Sequence, residues 1–310
     1  MVLPQQHPAN SLSGLLGFPV TPFRPDDGEL DLPRFEQHLT DMLKAGPSAL
    51  FVACGTGEFA SLTVGEHHEL VRTAVSHVAG EVPVYAGAGG GTRLAVEFVR
   101  SAERAGADGA LILPPYLQVG PPAGLVAHYR QIAAATRLPL IPYQRSTAVF
   151  TPEAVAELAG LEQVVAFKDG HGDVELLQRI HTATGGELTL LNGMPTAETF
   201  APAYAAAGAR AYSSATLAFA PAIARAFYDA FTRGDDAVQQ TLLREFYVPL
   251  TRLRHTTNGY AVSLVKAGLE AQGRPAGPVR PPLAEVTPEH MAELAALIER
   301  GHTAVDGIAG

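Results

Sequence analysis

The chain has 310 residues, 47% of them hydrophobic and 17% charged, which is the make-up of a globular protein with a large interior. Its length lies near the upper limit for one hydrophobic core, so one large domain, alone or with an appendage, is expected. Its 22 basic and 31 acidic residues give a formal charge of −9. With no basic cluster or RNA-type motif, that excludes nucleic acid as an expected partner and leaves an anionic substrate dependent on local donors.

The chain opens with "MVLPQQHPANSLSG", which lacks both the basic charge and the apolar stretch of a signal peptide. Residues 1–13 are expected to form a mobile tail. No apolar run approaches membrane-spanning length, and Cys54 is the only cysteine, so nothing suggests an oxidising compartment. The expected location is cytoplasmic, with no membrane partner.

Beyond the tail, short apolar runs alternate with amphipathic stretches. The first four runs are "GLLGFPV" (14–20), "SALFVAC" (48–54), "VPVYAGAG" (82–89) and "DGALILPP" (108–115). Four more follow: "LPLIPYQ" (138–144), "QVVAFKD" (163–169), "LTLLNG" (188–193) and "RAYSSA" (210–215). Such continuous runs suit parallel strands buried on both faces. Between them, "DLPRFEQHLTDMLKAG" puts Phe35, Leu39, Met42 and Leu43 on one helical face. Thr63 and Glu66 form a possible capping box, and Pro152 follows a Thr151 cap. Eight β–α pairs over residues 14–234 predict a (β/α)₈ TIM barrel, with a doubly wound open sheet as the structural alternative. After Gly234 the strand signals stop. Three helical stretches, with a proline-rich loop at 274–282 before the last, predict a C-terminal helical appendage over 235–310.

In such a barrel the C-terminal strand ends face the active site. Those ends read "CGTGEF", "PPYL", "PYQR", "FKDG", "NGMP" and "YSSA" for strands two and four to eight. Lys168 closes the sixth run. Taken alone, a strand-end lysine more often snorkels or pairs with an acid. Partial burial would instead lower its pKa and leave free amine to attack a ketone, forming an imine that draws electrons from neighbouring bonds. Tyr143, ending the fifth run, is either a core aromatic or a proton relay for that imine. Gly55 and Gly57 flank Thr56 in a turn that is either only tight or able to bring N–H groups and a hydroxyl to a carboxylate.

Other features carry less. "GAGGGT" (87–92) lacks the last glycine of a dinucleotide fingerprint and reads as a barrel loop. His67 and His68, adjacent on an expected surface helix, do not have the i,i+4 spacing of a zinc helix. His171 reads as a solvated loop histidine. No metal site is expected.

"CGTGEFASLT", "PPYLQVGPPAGL", "PYQRSTAVFTPE" and "AFKDGHGD", in that order and spacing, resemble the dihydrodipicolinate synthase and N-acetylneuraminate lyase superfamily over about residues 14–300. The resemblance implies a (β/α)₈ barrel with C-terminal helices, commonly a homotetramer. It implies Lys168 as the imine lysine for a 2-oxo acid and Tyr143 as the catalytic tyrosine, with no cofactor beyond that covalent imine. Thr56 then belongs to the carboxylate-binding turn, and Ser213 contacts the 2-oxo acid through its backbone. Gly55 replaces the first of two hydroxyl residues of a dihydrodipicolinate synthase turn, and Leu117 follows Tyr116 where a second tyrosine is usual. These departures argue against dihydrodipicolinate synthase, while "GTGEF", "PPYL", "YQR" and "FKDGHGD" together resemble the 5-dehydro-4-deoxyglucarate dehydratase branch, which implies dehydration and decarboxylation of a sugar diacid to 2,5-dioxopentanoate. Arg145 is then the candidate for the distal carboxylate, or else pairs with an acid on the rim. An aldolase releasing pyruvate from a 2-keto-3-deoxy sugar acid and a non-catalytic sugar-acid-binding barrel are the competing readings.

Overall fold

Each apolar run becomes a strand, shorter than the run that announces it. The computed structural model describes residues 12–115 and 117–309. Of the expected tail over 1–13, residues 1–11 lie outside the described residues, as does Tyr116 in the "PPYL" loop; Leu12 is not part of a mobile tail, for it is buried among the apolar side chains inside the barrel. The first four strands are β1 (Leu15–Gly17), β2 (Ala49–Val52), β3 (Val84–Ala88) and β4 (Gly109–Ile112). β5 (Leu140–Gln144), β6 (Ala166–Asp169), β7 (Thr189–Asn192) and β8 (Ala211–Ser214) complete the set. All neighbours are parallel, and β8 pairs back to β1, closing an eight-stranded barrel. The open sheet is excluded.

Side-chain alternation sorts each strand between two cores. Leu16, Phe51, Leu111, Ile141 and Leu191 fill the barrel interior, where Leu12 is also fully buried. Their neighbours Leu50, Val84, Ile112, Phe167 and Leu190 face outward into the larger core shared with the helices. Phe18, Phe51 and Tyr85 stack inside the barrel with ring centroids 4.7 and 5.0 Å apart.

The helical ring follows the cap signals. Leu32–Leu43 buries Phe35, Leu39 and Met42, while Leu43 is half-buried against the same core. Val64–Val78 starts with the Thr63–Glu66 capping box, and Pro152–Ala159 starts behind the Thr151 hydroxyl. In the Val64–Val78 helix His67 departs from expectation, for it is fully buried rather than on the surface. Its Nε2 lies 2.7 Å from the Gly87 carbonyl and its ring packs edge-on against Phe98. It lies on the face of an outer helix turned toward the strands, a position a histidine accepts when a carbonyl meets its ring nitrogen. His171 is exposed, as expected. Gly87 must lack a side chain, because a Cβ there would lie 2.2 Å from the Ala53 carbonyl oxygen.

Past Gly234 the first of the three expected helical stretches is interrupted. Asp236–Leu242 and Val248–Arg254 flank a π turn at Leu243–Tyr247. Pro249 has no N–H to donate and its ring clashes with the carbonyl four residues back, so the helix widens there. Tyr260–Glu270 and Pro288–Ala309 follow. Among the described residues no helix is long and apolar enough to cross a membrane.

Tyr260–Glu270 is tied to the barrel by a buried ion pair. Lys266 Nζ lies 2.6 Å from Glu58 Oε1, with both side chains at most 3% exposed. The Arg280 N–H donates to the other Glu58 oxygen at 2.9 Å, and Lys266 also donates to the Pro278 carbonyl. Removing one partner of such a pair strands a charge in the interior. Lys266→Met is therefore expected to destabilise the protein by about 3–5 kcal/mol in urea unfolding. A loss under about 1 kcal/mol would show that water reaches the pair.

Candidate active site

The C-terminal strand ends enclose a cavity of about 330 Å³. Phe18 lies beneath it, Gly55 and Thr56 enter after β2, and Leu113 and Pro114 after β4. Tyr143 and Arg145 come from β5 and its loop, Lys168 from β6, and Gly193 to Thr196 from the loop after β7. Ser213 and Thr216 line the β8 side, and Arg254 and Tyr260 reach in from beyond the barrel. Most of the residues singled out in the sequence thus share one cavity. Gly57 does not line it: its carbonyl turns away to accept the Thr21 hydroxyl at 2.7 Å, leaving Gly55 and Thr56 as the exposed part of the turn.

Lys168 sits opposite Tyr143 in the β5–β6 register. It is 4% exposed, and its Nζ lies 4.1 Å from the centre of the Phe18 ring and 4.6 Å from that of Tyr143. Among the described residues no carboxylate lies within ion-pair distance of it. Asp169, next in sequence, is on the opposite face of β6. There its carboxylate takes hydrogen bonds from Gln144 at 2.7 Å, the Tyr204 phenol and the N–H groups of His171 and Gly172. That cluster fixes the end of the strand without neutralising the amine.

Burial, with a smaller push from Arg145, lowers the Lys168 pKa from 10.5 to about 7. Such a shift disfavours the ammonium by about 5 kcal/mol, more than the ~2 kcal/mol that an aromatic face returns to a desolvated cation. Cys54, also buried nearby, gives no counter-charge near neutrality, because burial pushes its thiol up to about 12. The Tyr143 hydroxyl donates to the Gly193 carbonyl at 2.9 Å and accepts from Arg145 Nη1 at 3.0 Å. Burial raises its pKa, and the Arg145 guanidinium works against that rise. Arg145 has no acid partner among the described residues. Ser213 lines the cavity and donates its hydroxyl to the Asn192 carbonyl at 3.2 Å.

Gly193 is what lets amine and phenol approach each other. A Cβ there would lie 2.6 Å from Lys168 Cε and 2.9 Å from Tyr143 Cε2. Sequence reasoning missed several contributors: Phe18 under the amine, Gln144 and Tyr204 behind it, Tyr260, and above all Arg254. Gln144 was legible, since it follows Tyr143 as Asp169 follows Lys168. Arg254 carried no signal, because no strand end points to it.

Chemically, the cavity presents one primary amine that is about half uncharged near neutrality, a phenol within reach, two guanidiniums and, among the described residues, no lining carboxylate. A closed parallel barrel with such an amine–phenol pair at its C-terminal mouth is a barrel equipped to attack carbonyl compounds carrying negative charge. The chain belongs to the dihydrodipicolinate synthetase family, whose profile matches residues 11–301. It is 52% identical over 303 residues, 96% of each chain, to a probable 5-dehydro-4-deoxyglucarate dehydratase of Streptomyces coelicolor. It is 44% identical over 298 residues to a probable 5-dehydro-4-deoxyglucarate dehydratase of Bradyrhizobium diazoefficiens, covering 96% of this chain and 95% of that one. Among solved structures it resembles the dihydrodipicolinate synthase of Oceanobacillus iheyensis, with a TM-score of 0.88 at 27% identity over 95% of this chain and 98% of that one. A prophage protein of the same family from E. coli K12, in complex with pyruvate, gives 0.83 at 27% identity, over 94% of this chain and 98% of that one.

Two outcomes are expected. Borohydride trapping of a 2-oxo acid should accelerate about tenfold per pH unit below 7 and level off above it, as the amine loses its proton. A flat profile from pH 6 to 8 would contradict a lysine shifted this far. Gly193→Ala should slow trapping by about a hundredfold through displacement of the Lys168 and Tyr143 side chains; trapping within threefold of the parent rate would show that the two side chains adjust freely.

Proposed function

We propose that the protein is a Schiff-base lyase that converts 5-dehydro-4-deoxyglucarate to 2,5-dioxopentanoate, CO₂ and water. The observation that carries this reading is a buried amine and phenol in a cavity lined by two further cations and, among the described residues, no carboxylate, suited to a keto acid with a second carboxylate. The names of the relatives at 44–52% identity agree with it.

Lys168 attacks the C5 ketone, and loss of water gives a protonated imine. Tyr143, between the Gly193 carbonyl and Arg145, relays the protons that this exchange needs. The carboxylate beside the ketone rests on the Gly55–Thr56 turn and the Ser213 backbone. Loss of a C4 proton gives an enamine, which expels the C3 hydroxyl as water and leaves a conjugated iminium. The C1–C2 bond then breaks, and its electrons run through C2–C3 and C4–C5 to nitrogen as CO₂ departs. Protonation at C4 and C3 turns the C2 enol into an aldehyde, and hydrolysis of the imine frees Lys168. The sum consumes one proton: a dianion becomes a monoanion, CO₂ and water.

On this reading residues 14–234 form the catalytic barrel and 235–310 a helical region, and the enzyme works without a metal or bound cofactor, as a cytoplasmic homo-oligomer. Among the described residues no three His, Cys, Asp or Glu side chains are grouped to hold a metal.

The test is borohydride trapping with 5-dehydro-4-deoxyglucarate, followed by peptide mass analysis and product analysis. An adduct on the peptide containing Lys168, with CO₂ and 2,5-dioxopentanoate as products, is expected, and Lys168→Arg should abolish both adduct and turnover. Pyruvate among the products would mean an aldolase. Full turnover by Lys168→Arg would overturn the covalent mechanism.

A further inference from the structure

Two guanidiniums reach the cavity, and they are not equivalent. Arg145 sits against the phenol: its Nη1 donates to the Tyr143 hydroxyl oxygen at 3.0 Å, and its charge acts on that group. Arg254 ends the Val248–Arg254 helix and is half-buried. Its Nη1 donates to the Thr196 hydroxyl and its Nη2 lies 2.9 Å from His255 Nε2. Among the described residues no carboxylate forms an ion pair with it.

Among the described residues the acid whose charge acts on it is Glu198, fully buried, with Oε1 accepting the Ser214 hydroxyl at 2.5 Å and Oε2 without a hydrogen-bond partner there. Burial pushes that carboxyl up to about 7, so it is at best a partial counter-charge near neutrality. The other ionisable groups around Glu198 are the phenols of Tyr212 and Tyr247, which burial keeps neutral. Burial and the neighbouring Arg145 both work against the charge on Arg254. Two like charges held in one cavity without an acid between them are stabilised by an anionic ligand.

Reach permits it. A Cβ at Gly193 would meet Lys168, Thr196 bonds Arg254, and three residues of chain span at most about 10 Å, which sets an upper limit. The far carboxylate of a six-carbon 2-oxo diacid lies roughly 5 Å from its keto carbon, taking about 1.5 Å per bond along a zigzag chain.

We infer that Arg254 is the specificity-determining residue that binds the far carboxylate of a 2-oxo diacid, while Arg145 serves the Tyr143 phenol. The inference rests on the imine reading proposed above and deepens it. It also separates substrate from product. The carboxylate held by Arg254 is the one that leaves as CO₂, so the product monoanion loses that anchor and is released. A half-exposed guanidinium that shares its N–H groups with Thr196 and His255 grips weakly enough for the carboxylate to shed its charge.

The experiment measures borohydride trapping efficiency for pyruvate and for 5-dehydro-4-deoxyglucarate in the parent chain, Arg254→Met, Arg254→Lys and Arg145→Met. Arg254→Met is expected to lower the diacid-to-pyruvate ratio by about a hundredfold through loss of a close charge pair. Arg254→Lys should recover part of it, keeping charge but not the two-pronged geometry. Arg145→Met should slow both ligands together. Trapping of pyruvate also reports that each variant is folded. An unchanged ratio in Arg254→Met, with the parent chain forming both adducts, overturns this inference alone. No adduct with either ligand in the parent chain overturns it together with the imine reading.

Discussion

Burying an ammonium without a counter-ion is so costly that a folded chain must either supply an anion or let the proton go. This protein does each once. Lys266 and Lys168 are both almost fully buried, at 3% and 4% exposed. Lys266 meets Glu58 at 2.6 Å, and that carboxylate works against the downward push of burial on its pKa, making the pair a structural tie. Lys168 meets the rings of Phe18 and Tyr143 instead and has no acid within reach among the described residues. The difference between a strut and a nucleophile is one missing carboxylate.

That absence is arranged by strand geometry. Lys168 and Asp169 are neighbours in sequence, and in a loop they could pair. On β6 successive side chains point to opposite faces, so the acid is spent on Gln144, Tyr204 and two backbone N–H groups. The same alternation sends Tyr143 inward beside the amine and Gln144 outward beside the acid. Two adjacent strand ends thereby build a reactive layer inside and a rigid polar layer behind it. The region after Gly234 completes the enclosure. The Tyr260–Glu270 helix lends residues to the cavity wall and, through Lys266, ties itself to Glu58 in the turn that carries Gly55 and Thr56. Glu58 adopts a left-handed backbone conformation, φ 55°, and its carboxylate is held on both oxygens. Two opposite walls of the cavity thus share one buried contact.

Much of this was legible in the sequence, because parallel strands buried on both faces leave unbroken apolar runs and capping leaves local signatures. All eight strands lie inside the runs, and the Thr63 and Thr151 caps fall where the residues place them. Lys168 and Tyr143 were found because strand ends in a barrel converge on one mouth. What was not legible depends on contacts distant in sequence. His67 looked superficial because nothing local shows that Gly87 would offer it a carbonyl. Gly57 looked like part of a binding turn because its carbonyl's partner, Thr21, is far upstream. Arg254 was invisible because it enters the cavity from a helix outside the barrel repeat.

The most direct measurement is the titration of the Lys168 side chain itself, in protein with isotope-labelled lysine and with the resonance assigned by its loss in Lys168→Arg. A midpoint near pH 7, against 10.5 for an ordinary lysine, is the expected result. A midpoint at or above 10 would mean that the buried amine stays charged at neutral pH, and an uncharged nucleophile could no longer be the basis of the site.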